Sequence, residues 1–242
     1  MIITLYDYSI YNIMKVTLSF EQSQSSDVSI MVDALRASST ITLALNNFKK
    51  VIPCFTPEEG FELKNKLGGI LAGERGGAKI EGFDIGNSPS KLNEFNSDED
   101  TLILTTSNGT RILENMSGKV LVGSMINGKS TGKISSKLAS NHIDVVMAGV
   151  KGEFAIEDFL ASGEILFWIC KNLKNYELSE YAKAAILASR DTKLVEKAFL
   201  NSKSGKRLIE LGYKKDVDFC LQKNITNNVA IYKNKELILY KD

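Results

Sequence analysis

Residues 29–40 read SIMVDALRASST: an apolar run ends at Asp33 and is followed by the polar start of a helical pattern. The same arrangement, an apolar strand that runs into a polar or glycine-rich turn, recurs in LAGERGG (71–77), LILTTSNGTR (102–111) and VVMAGVKGEFAIED (145–158). Alternating strand and helix patterns predict a layered α/β/α fold with a mixed, mostly parallel sheet. Because ligands bind beyond the carboxyl ends of strands in such sheets, we expect the four turns to meet at one crevice.

The rest of the sequence extends this pattern outward from the four segments. The predicted strands cover residues 2–5, 28–32, 50–53, 69–72, 101–105, 120–122, 143–148, 228–232 and 236–240. The predicted helices cover residues 39–48, 58–67, 109–115, 129–139, 156–172, 180–187 and 192–211. A hairpin that turns at 233–235 joins the last two strands and makes the sheet mixed. We expect a single α/β domain over residues 1–242, and the length also allows a division into two lobes.

Composition narrows the class of protein. The net charge of +1 provides no global basic field that would attract nucleic acid or an anionic membrane. The most apolar helical run, 165–170, is too short to span a bilayer. The three cysteines form no C-x-x-C pair, which favours reduced thiols in a cytoplasmic protein. The expected partner is a small anionic substrate, and association into a homo-oligomer is left open.

The turn TTSNGTR has the composition of an anion site. It supplies hydroxyl groups, an amide and a glycine where the next predicted helix begins, and free N–H groups at a helix start attract anions. An ordinary N-cap made by Ser107 or Asn108 would explain the same composition without a ligand. The residues of this turn that we expect to bind substrate are Thr105, Thr106, Asn108, Gly109 and Thr110.

The rare arginines point to the same turns. Arg36, Arg75 and Arg111 all fall within them, whereas nearly every other basic position is lysine. Arginine is the better residue for fork-shaped recognition of phosphate or carboxylate. We therefore assign catalytic roles to Arg36 and Arg111 and a substrate-binding role to Arg75.

Carboxylates in the turns suggest a metal. Asp33 ends its predicted strand, where nucleophiles and metal ligands are often found, and an ordinary ion pair with Arg36 is the alternative. Glu74 is assigned a catalytic role. Oxygen ligands with no histidine nearby suit Mg²⁺. The predicted ligands are Asp33, Asp84, Glu157 and Asp158.

Ordered motifs carry a resemblance over nearly the whole chain. The sequence resembles the 2-phosphosulfolactate phosphatase family in VDALRASSTI (32–41), LAGERGG, GFDIGNSP (82–89), TTSNGTR, GSMIN (123–127), AGVKGEFAIED (148–158) and SGKRLIELGYKKDVDFCLQ (204–222). The resemblance implies an α/β enzyme that requires Mg²⁺ and hydrolyses 2-phospho-3-sulfolactate to 3-sulfolactate and phosphate, a step towards coenzyme M. Within these motifs, Asn87, Ser88 and Asn127 are expected to contact the substrate.

Two other functions fit parts of the sequence. GSMINGKS (123–130) matches the G-x-x-x-x-G-K-[ST] pattern of a P-loop and follows an apolar strand, which would indicate an ATPase or GTPase. A non-catalytic relative that binds anions is the other alternative. The P-loop hypothesis leaves GFDIGNSP and TTSNGTR unexplained. The phosphatase hypothesis predicts instead that Asn127 faces the crevice and that Lys129 lies on a solvated first helical turn.

Overall fold

The computed structural model describes residues 13–242, so the predicted strand 2–5 lies outside it. The strands within that range are Met14–Phe20 (β1), Val28–Val32 (β2), Lys50–Cys54 (β3), Ile70–Arg75 (β4), Ala78–Lys79 (β5), Thr101–Thr105 (β6), Lys119–Val122 (β7), His142–Met147 (β8), Tyr176–Leu178 (β9), Ala230–Lys233 (β10) and Glu236–Leu239 (β11). The α-helices within it are Ala37–Ala44 (α1), Pro57–Leu67 (α2), Pro89–Leu92 (α3), Gly109–Leu113 (α4), Gly128–Leu138 (α5), Ile156–Asn172 (α6), Glu180–Ala188 (α7), Thr192–Asn201 (α8), Lys203–Glu210 (α9) and Lys214–Cys220 (α10).

The strands form one mixed sheet in the order β5-β4-β6-β3-β11-β10-β7-β2-β8-β1-β9. Parallel pairings make two blocks, β4-β6-β3 and β7-β2-β8-β1-β9. The predicted C-terminal hairpin, β10–β11, joins the blocks through antiparallel pairings with β7 and β3. Its turn is closed by Asn234 and Lys235, whose positive φ angles of 53° and 63° suit a two-residue hairpin turn.

Helices cover both faces of the sheet, which confirms the layered α/β fold. Every residue of β2 is buried, as expected for a strand covered on both sides. Val28, Ile30 and Val32 belong to a core that includes Ile165 of α6. Met31, which points to the other face, belongs to a second core with α1.

Some helices and strands have the predicted boundaries and others do not. Helix α6 begins and ends at the predicted residues, whereas the predicted helix 192–211 is divided into α8 and α9. The chain is extended at Ser202, whose hydroxyl accepts a hydrogen bond from Gly205 N and caps α9. Strands β1, β5 and β9 are absent from the predicted set. No helix within residues 13–242 is long and apolar enough to cross a membrane.

Candidate active site

The four strand-end turns meet at one cavity of about 380 Å³. The two parallel blocks run in opposite directions, because three antiparallel pairings separate β3 from β7, yet the turns after β2, β4, β6 and β8 all contribute. The convergence predicted from the sequence is therefore confirmed. The cavity is lined by Asp33, Leu35, Arg36, Glu74, Gly76, Gly77, Asn87, Ser107, Asn108, Val150, Lys151, Glu153, Lys203, Ser204, Arg207 and Leu208.

Asp33 follows β2 and is held by the start of α1 and the turn after β6. Its backbone N–H donates to Ser38 Oγ at 2.9 Å, and Ala37 N lies 3.4 Å from its Oδ1. The Gly109 N–H also hydrogen-bonds the carboxylate. A Cβ atom at position 109 would lie 2.7 Å from Asp33 Oδ2, so glycine is what allows the two turns to approach this closely.

Buried carboxyl groups are clustered around Asp33. Burial is the main cause that raises the pKa of Asp33 to about 7, and the negative charges of Glu74 and Glu157 contribute in the same direction. Burial also raises the pKa of Asp158 well above its usual range, with contributions from Asp33 and Glu157. Uncompensated like charges in an interior are unfavourable, so the cluster is suited to a cation.

Asp158 supports the cavity from behind. Its Oδ1 accepts from Ala34 N at 2.7 Å and its Oδ2 accepts from Gly149 N at 2.9 Å, so it joins the turn after β2 to the turn after β8. Asp158 is 3% exposed and does not line the cavity, and neither does its buried neighbour Glu157. The predicted metal ligands Glu157 and Asp158 are therefore buried near the cavity but do not line it.

Glu74 lines the cavity and fixes two of its turns. Its Oε1 accepts from Ser107 N and its Oε2 from Gly77 N, both at 2.7 Å. Asn108 Oδ1 accepts from Lys151 N at 3.2 Å and makes no side-chain cap on α4. The N-cap alternative for Asn108 is therefore wrong, and its amide links the turns after β6 and β8.

Arg36 enters the cavity from the turn after β2 and is almost fully buried. Its Nη1 lies 2.6 Å from Asp216 Oδ2, its Nη2 donates to Gly77 O at 2.7 Å, and its guanidinium stacks over Tyr213 at 4.7 Å. The alternative in which Arg36 pairs with Asp33 is thus wrong, because Asp216 on α10 takes that place.

Asp216 connects Arg36 to the GFDIGNSP turn. Besides Arg36, its carboxylate accepts from Ser88 Oγ at 2.7 Å and from Ser90 Oγ at 2.5 Å. Ser88 therefore supports Arg36 rather than lining the cavity. Sequence reasoning missed Asp216, although it lies in the last motif of the resemblance, because nothing local distinguishes it from Asp218 two residues on.

Asn87 is the polar residue of this turn that does reach the cavity. It is 3% exposed, and its Oδ1 has no hydrogen-bond partner within residues 13–242. A buried acceptor without a partner is costly unless a ligand or metal satisfies it. Its position agrees with the binding role expected from the sequence.

Two of the arginines that were predicted to act on the substrate lie away from the cavity. Arg111 is exposed and pairs with Glu21 at 2.6 Å. Arg75 follows Glu74 on β4 and points to the opposite face, where its Nη2 donates to Phe55 O and to Thr105 Oγ1 at 2.9 Å. The structure therefore gives no support to substrate contacts by Arg111, Arg75 or Thr105.

Asp84 and Thr106, two further residues predicted for the site, do not line the cavity. Asp84 Oδ2 accepts from Lys64 Nζ at 2.6 Å and from Leu71 N at 2.7 Å, near the start of β4, whereas Glu74 lies near its end. A shared metal site with Asp33 is therefore contradicted. Thr106 is buried and does not line the cavity. The side chain of Thr110 lies outside the described part of the chain.

The P-loop pattern does not form a phosphate-binding loop. Residues Met125–Asn127 form a short 3₁₀ helix, and Ser124 N donates to Asn127 Oδ1 at 2.8 Å. Asn127 is fully buried and its Nδ2 donates to Asn228 O at 3.0 Å, so the expectation that it faces the crevice is wrong. Lys129 is exposed on the first turn of α5, as predicted, and its Nζ lies 5.1 Å from the Trp168 ring.

The cavity also has charged residues that sequence reasoning did not select. Lys151 and Glu153 come from the turn after β8, and Lys203 and Arg207 come from α9. The scarcity of arginine was a usable signal for Arg207, which is one of only five in the chain.

Comparison with known proteins gives a consistent result. The family model described as 2-phosphosulpholactate phosphatase matches residues 14–235. A protein named 2-phosphosulfolactate phosphatase from Methanothermobacter thermautotrophicus is 45% identical over 229 residues, covering 95% of this chain and 97% of the relative. Proteins named probable 2-phosphosulfolactate phosphatase from Clostridium acetobutylicum and Clostridium perfringens are 38% and 37% identical, covering 90% and 89% of this chain and 94% and 90% of their own length.

The layered α/β fold, the cavity and these similarities define the class: the chain is an enzyme of the phosphoric monoester hydrolase type. More specifically, it belongs to the 2-phosphosulfolactate phosphatase family. The resemblance seen in the sequence motifs is therefore confirmed, and the P-loop alternative is not supported.

Proposed function

We propose that the protein hydrolyses the phosphate ester of 2-phospho-3-sulfolactate, or of a closely related small phospho-acid, and that it requires Mg²⁺. The observation that carries the proposal is the placement of Asp33 and Glu74 together in a cavity built from four strand-end turns. A phosphoryl group is negatively charged and would lie beside the carboxyl groups of Asp33 and Glu74. Its binding therefore needs both a cation and the Arg36 guanidinium.

The residues of the cavity fit a magnesium ion. No group of three or more His, Cys, Asp or Glu side chains within residues 13–242 is arranged to hold a metal by itself. Mg²⁺, however, usually takes one or two carboxylates and completes its shell with water and substrate phosphate. Asp33 and Glu74 would supply the carboxylates, and Asn87 Oδ1 is an unsatisfied oxygen in the same cavity. The ion would polarise the phosphoryl group and neutralise charge in the transition state.

Arg36 would orient the phosphoryl group. The guanidinium of Arg36 has five N–H donors. One on Nη1 donates to Asp216 and one on Nη2 donates to Gly77 O. Arg36 also lines the cavity, where the phosphoryl group would bind. Glu74 and Asp158 keep the turns around the reacting group in place through their backbone contacts. A fixed geometry of this kind is what positions a nucleophile in line with the bond that breaks.

Two nucleophiles are compatible with this cavity, a water molecule and the Asp33 carboxylate. In either case the attacking oxygen bonds to phosphorus, the ester P–O bond breaks, and the departing sulfolactate oxygen takes a proton. With Asp33 the first product is an aspartyl phosphate, which water then hydrolyses. A phosphoenzyme trapped by rapid acid quench would identify Asp33 as the nucleophile, and Asp33→Asn would abolish it.

The test of the function is phosphate release from 2-phospho-3-sulfolactate. Protein stripped by chelator should be inactive and Mg²⁺ should restore turnover. Asp33→Asn should lose nearly all activity, whereas Asp84→Asn should retain it because Asp84 lies near the start of β4 and pairs with Lys64. Full activity in excess chelator, or no release from any small phospho-acid with Mg²⁺ present, would refute the proposal.

The cellular setting follows from the same proposal. The sulfolactate product would serve the route to coenzyme M that the family resemblance implies. We place the reaction in the cytoplasm, which is supported by three cysteines that form no disulfide. A deletion strain that accumulates 2-phospho-3-sulfolactate, rather than 3-sulfolactate, is the expected phenotype.

A further inference from the structure

Charge is separated along the depth of the cavity. Asp33 and Glu74, in its interior, carry carboxyl groups and are each 7% exposed. The exposed part carries three cations, of which the Lys203 and Arg207 side chains are 79% and 56% exposed. The third is Lys151, also exposed. We call these three residues, Lys151, Lys203 and Arg207, the basic rim.

The basic rim is formed by two separate elements that flank the opening. Lys151 is at the tip of the turn after β8, and Lys203 and Arg207 are one helical turn apart on α9. Glu153 pairs with Lys203 and so connects the two elements. Arg207 Nε donates to Gly76 O at 3.3 Å, which ties α9 to the turn after β4.

Lys203 pairs with Glu153, whereas the other two rim cations have no close carboxylate partner in the described part of the chain. The nearest carboxylate to Arg207 is Glu210, at 3.9 Å on its own helix. Lys151 has no side-chain ion pair within residues 13–242, and a side chain added at the neighbouring Gly152 would meet nothing within 4 Å. Among the residues that line the opening of the cavity, three cations outnumber one acidic residue, Glu153, so the opening is net positive above the buried carboxyl groups.

We infer that the basic rim is a subsite for a second anionic group of the substrate, a sulfonate or carboxylate carried by the same small skeleton as the phosphate. The inference rests on the proposed function. The polarity of the cavity gives the substrate one orientation: its phosphate binds in the interior with Arg36 and the metal, and its other anion faces the rim. A phosphomonoester without a second anionic group offers nothing for the rim to bind, so the subsite determines specificity.

Binding of 3-sulfolactate, measured by calorimetry, tests the subsite without any turnover. Lys151→Gln, Lys203→Gln and Arg207→Gln should each weaken 3-sulfolactate binding, and the triple variant should do so at least tenfold. Inorganic phosphate, which needs only the interior, should bind all four variants within about twofold of wild type. Glu153→Gln should tighten 3-sulfolactate binding, because it removes the one negative charge from the opening.

Matched controls make the outcome decisive. Lys183→Gln removes an exposed lysine that pairs with Glu180 on α7, and it should leave 3-sulfolactate binding unchanged. Calorimetry with isethionate, which has the sulfonate, and with lactate, which has the carboxylate, shows which anion the rim prefers. The compound with the preferred anion should bind the triple variant more weakly than wild type.

The results separate the subsite from the catalytic function. Equal 3-sulfolactate affinity in wild type, the triple variant and Lys183→Gln, or no measurable binding to wild type, would overturn the subsite. Rim-dependent 3-sulfolactate binding in a protein that releases no phosphate from the ester would support the subsite and refute the phosphatase function.

Discussion

Arg36 Nη1 and Asp216 Oδ2 lie 2.6 Å apart in the interior, although 180 residues separate them in the chain. The two side chains are 2% and 1% exposed, so neither charge is screened by water. Asp216 also accepts hydrogen bonds from Ser88 and Ser90. The pair therefore joins the turn after β2, the GFDIGNSP turn and α10 around one guanidinium in the cavity.

Asp216→Asn should impair both folding stability and turnover. The substitution keeps the shape but leaves the buried Arg36 charge without its partner, and breaking such a pair typically costs about 3–5 kcal/mol of unfolding free energy. We expect kcat/KM to fall at least about tenfold in the folded variant, because Arg36 loses its fixed orientation. Urea denaturation and phosphate release measure the two effects.

Asp218→Asn is the control for Asp216→Asn on the same helix. Asp218 pairs with Lys214 at the surface, where ion pairs contribute about 0–1 kcal/mol. The phosphate release of Asp218→Asn should match that of wild type. If both variants behave alike, Asp216 does not position Arg36.

Arg36→Lys should be far more damaging than Arg111→Lys. Arg36 uses its planar fork to contact Asp216 and Gly77 O at once, which lysine cannot reproduce. We expect a loss of about 2–4 kcal/mol in transition-state stabilisation, measured as kcat/KM. Arg111 is exposed and pairs with Glu21, so Arg111→Lys should have almost no effect. The reverse ranking would show that the reacting phosphate lies elsewhere.

The sequence predicted the cavity better than its individual residues. Strand ends followed by polar turns identified four segments, and all four line the cavity, because an apolar run that stops at a turn is a local property. Asp33, Arg36, Glu74 and Asn108 were selected in this way, whereas Asn87 was selected through the family resemblance. Gly109 was also identified within the correct turn, and it contacts Asp33.

The errors share a physical cause, which is that side-chain direction within a turn is not a local property. Glu74 and Arg75 are adjacent, yet alternation along β4 sends them to opposite faces. Asp84 was grouped with Asp33 by its motif, but the register of the chain places it near the start of β4. Lys203, Arg207 and Asp216 come from α9 and α10, whose distance from Asp33 in sequence gives no sign of contact.

In excess chelator, Asp33 should make the protein less stable as the pH rises. Burial and the charges of Glu74 and Glu157 raise the pKa of Asp33 from 3.8 to about 7 in the folded state. The folded protein therefore holds more protons at Asp33 than the unfolded chain does between these values, so the contribution of Asp33 to the unfolding free energy falls as the pH rises through them. Asp158, whose pKa is also raised, contributes in the same direction.

Chemical denaturation from about pH 5 to about pH 8 measures this dependence. Asp33→Asn cannot ionise, so its unfolding free energy should fall less over the same interval. Mg²⁺ should recover stability at the alkaline end in wild type and much less in the variant, because the ion binds the folded cluster. If the unfolding free energies of wild type and Asp33→Asn changed by the same amount over this interval in chelator, the arrangement of charges around Asp33 would be contradicted.

Gly109→Ala should disable the site while leaving the fold intact. The added Cβ atom would lie 2.7 Å from Asp33 Oδ2 and 2.9 Å from the Ala37 Cβ atom, so the Asp33 carboxylate has to move. A displacement of about 1 Å at a reacting group can cost on the order of a hundredfold in rate. Gly128→Ala adds a Cβ atom 3.2 Å from Glu164 Cγ, away from the cavity, and serves as the matched control. We expect kcat to collapse in Gly109→Ala and to persist in Gly128→Ala, while calorimetric melting shows both variants folded. Wild-type turnover in Gly109→Ala would mean that the position of Asp33 against the turn after β6 is not needed for the reaction.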